Sequence, residues 1–480
     1  MPGPDTTSAH LDALRAAIAS AGDDDPTTPS GTRPNGARPA GTGPDDHRSA
    51  RDSSTRDGAA GADFELVRPA GADFELVRPA GPADAVGGVP ARIVAAPGST
   101  AQAAALLRAA AGLGLSMVFQ GAGSRSDWGN PPRSLDLVVQ TRRLTGVVEH
   151  AAGDLIAVVR AGTPLAELQH ALAPAGQQLG LDDPVGGATV GGAVACNGSG
   201  PRRMLYGTVR DLLIGVTLVR ADGVVAHAGG KVVKNVAGYD LGKLVTGAYG
   251  TLGLVTECVF RLHPVPAARS YVRCRTAGAG VHGVERVGRL LDTVLGAQLV
   301  PTALEVEAPP GGGYETVLLL EGTPAGVAGR AEAAARLLGA DAAHTEEAPP
   351  WWGRYPWQPG DTGLKLTAVL SGVPDLLAAA RAAGDRHDVP IGVRGSAGTG
   401  VLYAGLPAAA PPDRVARVVE ELRGAATEAG GHAVVLTAPD RVRDRVDLWG
   451  PVEGLELMRR VKQRFDPEAR LAPGRFVGGM

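Results

Sequence analysis

Residues 186–262 read GGATVGGAVACNGSGPRRMLYGTVRDLLIGVTLVRADGVVAHAGGKVVKNVAGYDLGKLVTGAYGTLGLVTECVFRL. Glycines recur throughout this stretch, and a folded chain uses them where the backbone takes positive φ or closely approaches a flat or charged group. Two strand-like segments, 212–220 and 224–227, are joined by the turn Ala221-Asp222-Gly223, which predicts a β-hairpin. Glycine corners on such a β-framework indicate a site where peptide N–H groups hold a large cofactor. A sheet with many tight turns and no ligand would carry the same glycines, so this stretch alone does not choose between the two.

A second glycine turn lies upstream, FQGAGSRS at residues 119–126, directly after a short apolar strand. A dinucleotide-binding Rossmann turn would need a glycine at position 126 and a helix after it. Position 126 is serine, and Pro131-Pro132 excludes a helix immediately downstream. Lys231 follows two glycines, but Val232 lacks the hydroxyl that a phosphate-binding NTPase loop requires. The sequence therefore predicts a pyrophosphate site of neither common type.

The turn GAGSRS (121–126) and the long stretch together resemble the FAD-binding domain of the vanillyl-alcohol-oxidase/p-cresol-methylhydroxylase (PCMH) superfamily. Within it they are most similar to the E-type FAD-binding subunits of bacterial glycolate oxidases. The most specific pieces are GPRR (200–203), KNVAGYDL (234–241) and FDPEARLAPGRF (465–476). The resemblance covers residues 90–480 and implies an α+β fold. This fold is a two-lobed PCMH-type FAD-binding domain, followed by an α+β cap domain whose C-terminal segment returns to the flavin domain.

The chain divides into three predicted parts: residues 1–89, the FAD-binding domain at 90–266 and the cap domain at 267–480. The first part holds a short amphipathic helix over 8–21 and a disordered linker to residue 61, because the linker lacks large apolar side chains. Two copies of GADFELVRPA follow at 61–80, either a docking strip or a duplication within a linker. We expect removal of residues 1–80 to leave folding and flavin content intact.

Inside the flavin domain, residues 92–139 predict a βαβ unit whose helix is capped by Ser99 or Thr100. A second lobe begins near Gly146, and its first helix is expected to start with Thr163 as the cap and Pro164 in the first turn. Beyond Pro264 the pattern becomes α+β, as expected for a cap domain.

The resemblance implies three groups of FAD-binding residues. The turn 120–126 would hold the pyrophosphate, the stretch 189–200 would follow the ribityl chain and the isoalloxazine ring, and the stretch 250–255 would run beside the adenine end. The predicted cofactor-binding residues are Gln120, Gly121, Ala122, Gly123, Ser124, Arg125, Ser126, Thr189, Gly191, Gly192, Asn197, Ser199, Gly200, Gly250, Thr251, Gly253 and Val255.

The resemblance also implies how FAD is attached. Covalent attachment in this superfamily uses a histidine in the phosphate turn, sometimes with a cysteine before the second glycine cluster. Ser124 occupies the turn here, and residues 181–185 contain no cysteine. We therefore expect non-covalent FAD, and we interpret Cys196 as a packed small residue.

The sequence assigns no catalytic residue. A 2-hydroxy-acid oxidase needs a cation for the carboxylate and a base, most often histidine, for the hydroxyl proton. His344, His387 and His432 in the cap are too far apart for the paired-histidine motif of the related catalytic flavin subunit. Arg354 and Arg394 are candidate carboxylate ligands that no spacing selects.

The resemblance implies an FAD-dependent oxidoreductase acting on CH–OH groups, as a subunit of a glycolate oxidase complex that converts glycolate to glyoxylate. Its partners would be a catalytic flavin subunit and an iron–sulfur subunit. The exposed portion of the aromatic cluster at 351–357 would suit a protein partner. Two alternatives stay open: a stand-alone FAD-dependent oxidoreductase of another hydroxy acid, and a flavin subunit without a redox role.

Composition agrees with a globular enzyme. The 480 residues are 44% hydrophobic, which is enough for substantial cores, and the net charge of −3 argues against a nucleic-acid-binding protein. The three scattered cysteines predict neither a disulfide framework nor a metal or iron–sulfur site. Without an apolar run of membrane-spanning length or a signal pattern, the expected location is cytoplasmic, or peripheral to the inner face of the membrane through partners.

Overall fold

The computed structural model describes residues 4–22, 75–232, 238–278 and 280–480. Apart from Ala21 and Gly22, the linker expected up to residue 61 lies outside these ranges, as does the first copy of the repeat. Residues 234–237 of the KNVAGYDL motif lie outside them too.

The first lobe of the flavin domain is a four-stranded sheet in the order β1-β2-β4-β3, covered by two helices. Strand β1 is antiparallel to β2, and the other neighbours are parallel. The predicted βαβ unit is confirmed, and Ser99 is the helix cap because its Oγ accepts a hydrogen bond from the Gln102 N–H at 3.1 Å. The elements of this lobe are α1 (Pro4–Ser20), β1 (Val77–Pro79), β2 (Ile93–Ala95), α2 (Thr100–Gly112), β3 (Met117–Gln120) and β4 (Leu137–Gln140).

The N-terminal helix belongs to the core of this lobe, which differs from the expected domain boundary at residue 90. Leu11, Leu14 and Ile18 are buried in one cluster with side chains of α2 and of the sheet. Arg15 Nε donates to the Val77 carbonyl at 3.2 Å, and β1 itself forms the sheet edge beside β2. Residues before 80 therefore supply both a helix and a strand to the lobe, so the expectation that residues 1–80 are dispensable for folding is revised.

We expect Leu14→Ala to destabilise the flavin domain by about 2–5 kcal/mol, because it opens a cavity under a fully buried side chain. Asp12→Ala, at an exposed position of the same helix, is the matched control. Urea denaturation followed by flavin fluorescence measures both variants. Equal midpoints for Leu14→Ala and the wild type would show that α1 contributes nothing to the stability of the lobe.

The second lobe is built on a five-stranded antiparallel sheet in the order β5-β6-β10-β8-β9, with a small two-stranded sheet formed by β11 and β7. The predicted hairpin is confirmed as β8 and β9, closed by the turn 221–223. The elements are β5 (Val147–Ala151), β6 (Ile156–Arg160), α3 (Leu165–Leu172), β7 (Gln177–Gln178), α4 (Val190–Cys196), α5 (Arg203–Tyr206), α6 (Val209–Leu212), β8 (Leu213–Val219), β9 (Val225–Gly229), α7 (Leu241–Val245), β10 (Leu254–Arg261) and β11 (His263–Pro264).

The cap domain is an eight-stranded antiparallel sheet in the order β15-β12-β14-β13-β17-β18-β16-β19. Its helices α8 to α11 pack on one face of the sheet in a large apolar core. The elements are β12 (Ala268–Thr276), α8 (Val281–Gly296), β13 (Ala303–Ala308), β14 (Tyr314–Gly322), α9 (Pro324–Leu338), β15 (Ala342–Thr345), β16 (Thr362–Thr367), α10 (Val373–His387), β17 (Gly392–Ser396), β18 (Val401–Leu406), α11 (Pro412–Glu428), β19 (Ala433–Thr437), α12 (Asp440–Arg443) and α13 (Leu455–Phe465).

The C-terminal segment after α13 returns to the flavin domain, as predicted. The Met117 N–H donates to the Arg470 carbonyl at 2.8 Å, and the Ala472 N–H donates to the Met117 carbonyl at 2.7 Å. The segment thus runs parallel to β3 and leads into the glycine turn that follows this strand. Among the described helices, none has the length and apolarity needed to cross a membrane.

Candidate functional site

A cleft of the flavin domain lies where the two glycine motifs meet, and it encloses about 890 Å³ including its open mouth. Its wall combines the turn after β3, the start of α4, the turn before β10 and the C-terminal segment. The lining residues are Phe119, Gln120, Gly121, Ala122, Gly123, Ser124, Arg125, Ser126, Thr141, Thr189, Gly191, Gly192, Ala195, Cys196, Val245, Ala248, Tyr249, Gly250, Leu252, Gly253, Leu254, Val255 and Arg475.

Glycine is required where the two motifs touch. A Cβ added at Gly121 would lie 2.1 Å from Thr189 Oγ1. That hydroxyl is already committed, because it caps α4 by accepting a hydrogen bond from the Gly192 N–H at 3.2 Å. Gly123 has a φ of +79°, and the Gln120 side chain donates to Ser126 Oγ at 3.0 Å across the same turn. The tight turn and the helix start are therefore held against one another, with backbone rather than side chains facing the cleft.

Two buried arginines give the cleft its positive charge. Arg125 pairs with Asp183 at 3.0 Å and lies over the Trp128 ring at 5.3 Å. Arg475 donates through Nη2 to the carbonyls of Ser126 and Trp128, at 2.9 and 2.7 Å. The Nε–H groups of both arginines are buried and, within the described residues, lack a hydrogen-bond partner. Each leaves a donor for an acceptor that the described residues do not provide.

The C-terminal segment that carries Arg475 is anchored by a buried ion pair. Lys462 Nζ donates to Asp466 Oδ2 at 2.6 Å and to the carbonyls of Thr251 and Leu471 at 2.8 and 2.9 Å. Asp466 also accepts the N–H groups of Arg470 and Leu471. This network gives a role to Asp466 of FDPEARLAPGRF, and it ties the segment to Thr251 in the turn before β10.

Aromatic side chains pack around Tyr249, which lines the cleft. Tyr249 adopts a left-handed backbone conformation with φ +54° and contacts Trp449 and Phe476, with ring centroids 5.2 and 5.7 Å apart. Cys196 is half-buried and lines the cleft beside this group. Burial raises the pKa of the Cys196 thiol, so the uncharged thiol predominates at neutral pH.

Most of the predicted cofactor-binding residues come together in this cleft, and four do not line it. Thr251 is buried and donates to the Ala248 carbonyl at 2.6 Å, while Asn197 ends α4 with φ +49°. Ser199 is packed in the interior, and Gly200 lines a second cleft instead. The structure thus places these four behind the wall or away from it.

Sequence reasoning missed ten lining residues. The apolar residues among them lie near glycines of the two motifs in the sequence, so their position beside those glycines could have predicted them. Arg475 lies within the motif FDPEARLAPGRF, but the motif alone gave it no role. The missed residues are Phe119, Thr141, Ala195, Cys196, Val245, Ala248, Tyr249, Leu252, Leu254 and Arg475.

The cap histidines line neither this cleft nor the second one described below. His344 and His432 are exposed, and His387 pairs with Glu421 at 2.7 Å. The aromatic cluster at 351–357 is mostly half-buried: Trp357 stacks on Tyr355 with centroids 4.5 Å apart. Tyr355 also contacts the Trp128 ring of the flavin domain, with centroids 5.9 Å apart, so much of the cluster is used in contacts within the chain.

Matches with known proteins fit this architecture. Residues 91–229 match the family described as FAD binding domain, and residues 443–476 match FAD linked oxidases, C-terminal domain. Glycolate oxidase subunit GlcE of Escherichia coli (strain K12) is 41% identical over 159 residues, covering 33% of this chain and 45% of that protein. Glycolate oxidase subunit GlcD of Bacillus subtilis (strain 168) is 29% identical over 229 residues, covering 48% of this chain and 47% of that protein. The chain thus spans under half the length of these two relatives.

The solved structure of a chitooligosaccharide oxidase superposes with a TM-score of 0.58 at 18% identity, covering 79% of this chain and 91% of that chain. The fold is therefore the α+β fold of PCMH-type FAD-binding proteins, and FAD is the cofactor. The matched ranges resemble a FAD binding domain and the C-terminal domain of FAD linked oxidases. The glycine-walled cleft and the unpartnered Nε–H groups of Arg125 and Arg475 fit a ligand that carries a diphosphate.

Proposed function

We propose that the chain, which has the fold of PCMH-type FAD-binding proteins, is the FAD-binding subunit of a glycolate oxidase complex. Together with a catalytic flavin subunit and an iron–sulfur subunit, it would oxidise glycolate, a 2-hydroxy acid, to glyoxylate. The observation that carries the proposal is the 41% identity to subunit GlcE, combined with a cleft in which both motifs of that resemblance meet. The proposed location is cytoplasmic.

The residues of the cleft would divide the cofactor among them. The turn 120–126 and Arg475 would hold the diphosphate, because peptide N–H groups, hydroxyls and guanidinium groups are its natural donors. Thr189, Gly191 and Gly192 would leave room for the ring and its side chain, and the stretch 250–255 for the adenine end. When bound, FAD accepts two electrons from a C–H bond beside a hydroxyl.

In this proposal the electrons then leave through another protein. Cys258 and Cys274 are fully buried on different strands, and Cys196 ends α4. Three cysteines so placed cannot ligate an iron–sulfur cluster, which commonly takes four. The proposed partner is therefore an acceptor subunit that carries its own iron–sulfur cluster and takes electrons from the flavin.

A stand-alone FAD-dependent oxidoreductase of another hydroxy acid is the second candidate. The second cleft, which lies between the flavin domain and the cap and whose wall includes Arg203 and Glu305, favours it. In a third possibility the flavin is structural and has no redox role.

Dye reduction with glycolate separates these functions. We expect the single chain to turn over at least about a hundredfold more slowly than the chain reconstituted with both partners, since general-base help alone is worth two to four orders of magnitude. Equal rates with and without partners would contradict the subunit proposal and favour the stand-alone enzyme. A flavin whose potential is unchanged by partners, and which substrate never reduces in the complex, would indicate a structural role.

We expect acid precipitation to release all flavin into the supernatant as FAD. Ser124 lies in the turn where a covalently attached chain would carry histidine, and an alcohol makes no bond to the ring. Absorbance of supernatant and pellet near the flavin maximum measures the distribution. Yellow colour that stays with the protein pellet would contradict non-covalent binding and point to Cys196, the cleft's thiol.

A further inference from the structure

The exact duplication of GADFELVRPA is a feature of the chain that the FAD cleft does not use. Residues 61–70 and 71–80 are identical. The identity extends one residue further, because Gly71 corresponds to Gly81. The structure describes the second copy from Glu75 onward, and its last residues form strand β1. Two identical segments therefore precede a single strand position at the edge of the sheet, and only one of them can occupy it at a time.

Backbone hydrogen bonds hold the second copy beside β2. Strand β1 pairs with β2 along its whole length. On one side of the paired residues the Ala96 N–H donates to the Leu76 carbonyl at 2.9 Å, and on the other the Ala80 N–H donates to the Arg92 carbonyl at 2.9 Å. The first copy has the same residue types at the corresponding positions, so its peptide groups can form the same bonds with β2.

The side-chain contacts of the second copy also reach partners outside the repeat. Val77 is fully buried among side chains of α1, α2 and the sheet. Arg78 donates to both carboxylate oxygens of Asp84, at 2.7 and 2.8 Å. Arg15 of α1 pairs with Glu75 and donates to the Val77 carbonyl. The first copy can make each of these contacts with its own Glu65, Val67 and Arg68.

Exchanging the copies places a loop at the surface. With the first copy beside β2, Gly71 takes the place of Gly81. Residues 72–81 then form a loop before Pro82, which is exposed, so the core is not displaced. Closing a loop of about ten residues lowers an equilibrium constant about 100-fold. The connection that leaves Gly22 becomes ten residues shorter out of about fifty, which changes its closure by less than about twofold.

We propose that the repeat gives the chain two registers, in which either copy can form strand β1. The second copy is favoured because it needs no extra loop, so the first copy occupies the position in about one molecule in a hundred. When the second copy is damaged, the first replaces it. The edge of β2, whose unpaired peptide groups would otherwise be open to other chains, then stays covered.

Substitutions at Val67 and Val77 in the FAD-loaded full chain separate the two registers. We expect Val67→Asp, the matched control, to leave the folding equilibrium constant unchanged, because the first copy is rarely paired. Val77→Asp should lower it about 100-fold and no more, which is the cost of the loop. With both substitutions the loss should reach at least about 1000-fold, because either copy then buries a carboxyl group in the core or detaches. Urea denaturation followed by circular dichroism measures all three. A Val77→Asp protein as unstable as the double variant would overturn the proposal.

A disulfide shows directly which copy lies beside β2. Val77 is directly opposite Ala95, at a spacing of about 4.5 Å between Cα atoms that suits a disulfide. In glutathione buffer, the equilibrium constant for the bond in Val67→Cys/Ala95→Cys should be about 100-fold smaller than in Val77→Cys/Ala95→Cys. Adding Val77→Asp to the former pair should raise it about 100-fold, because the first copy then holds the position. Peptide mass spectrometry identifies the bond. If the triple variant forms no bond between positions 67 and 95, or forms it only between two chains, the two-register proposal is wrong.

Discussion

A Gly123→Val protein is expected to fold and to purify almost free of FAD, with less than about a tenth of the wild-type flavin content. Gly123 has φ +79°, where a β-branched residue is strongly disfavoured, so valine would force the turn 120–126 into another conformation. The Cβ itself would meet Gln120 and Ser126 at 3.4 and 3.5 Å, where their side chains now bond across the turn. Loss of two charge-assisted phosphate contacts would weaken binding by about 3–6 kcal/mol, more than a hundredfold.

Gly114→Val is the matched control for this experiment. Gly114 also has positive φ, +69°, belongs to the same lobe and has open space around its Cβ position. Valine there meets a similar backbone penalty away from the cleft, so it should reduce stability without removing FAD. The ratio of flavin to protein absorbance, with a melting curve for each variant, gives the comparison. A Gly123→Val protein with full flavin content would overturn the assignment of this turn to the diphosphate.

The glycine motifs were sufficient to predict the cleft, because close approach and positive φ leave no substitute for glycine. Gly121 shows why: any side chain there would overlap Thr189, which belongs to the other motif. The joint pattern therefore carried information about a contact between distant segments. A single glycine carries no such information. Gly200 was predicted to bind the cofactor, but it lines the second cleft instead.

What sequence reasoning missed depends on contacts between distant segments. Arg475 reaches the carbonyl of Ser126 across 349 positions, which no local pattern encodes. Thr163 was predicted to cap α3, but its Oγ1 accepts from the Gly146 N–H at 2.9 Å and the helix begins after Pro164. A threonine before a proline can either cap the helix or bond to another segment, and the local sequence does not distinguish these two roles. Strand β1 was overlooked because it lies within a repeat, and only pairing with β2 defines it as a strand.

Lys462→Met is expected to destabilise the protein by about 3–5 kcal/mol, since it removes one partner of a buried ion pair and leaves Asp466 uncompensated. Lys462 is 6% exposed, and its ammonium group also satisfies two backbone carbonyls, those of Thr251 and Leu471. Methionine matches the length of the stem without offering a donor. The C-terminal segment would loosen from the turn beside the cleft and take Arg475 with it, so FAD should be released at lower temperature.

Arg459→Met, on the same helix, provides the control. Arg459 is half exposed and only 3.9 Å from Glu456, a surface pair worth less than about 1 kcal/mol. Flavin fluorescence released during heating reports cofactor loss, and urea unfolding followed by circular dichroism reports the free energy. If the segment anchors the cleft, flavin release in Lys462→Met should precede global unfolding, because the segment detaches before the sheets separate. Simultaneous flavin release and unfolding, at wild-type midpoints, would show that the ion pair neither stabilises the fold nor holds Arg475 in place.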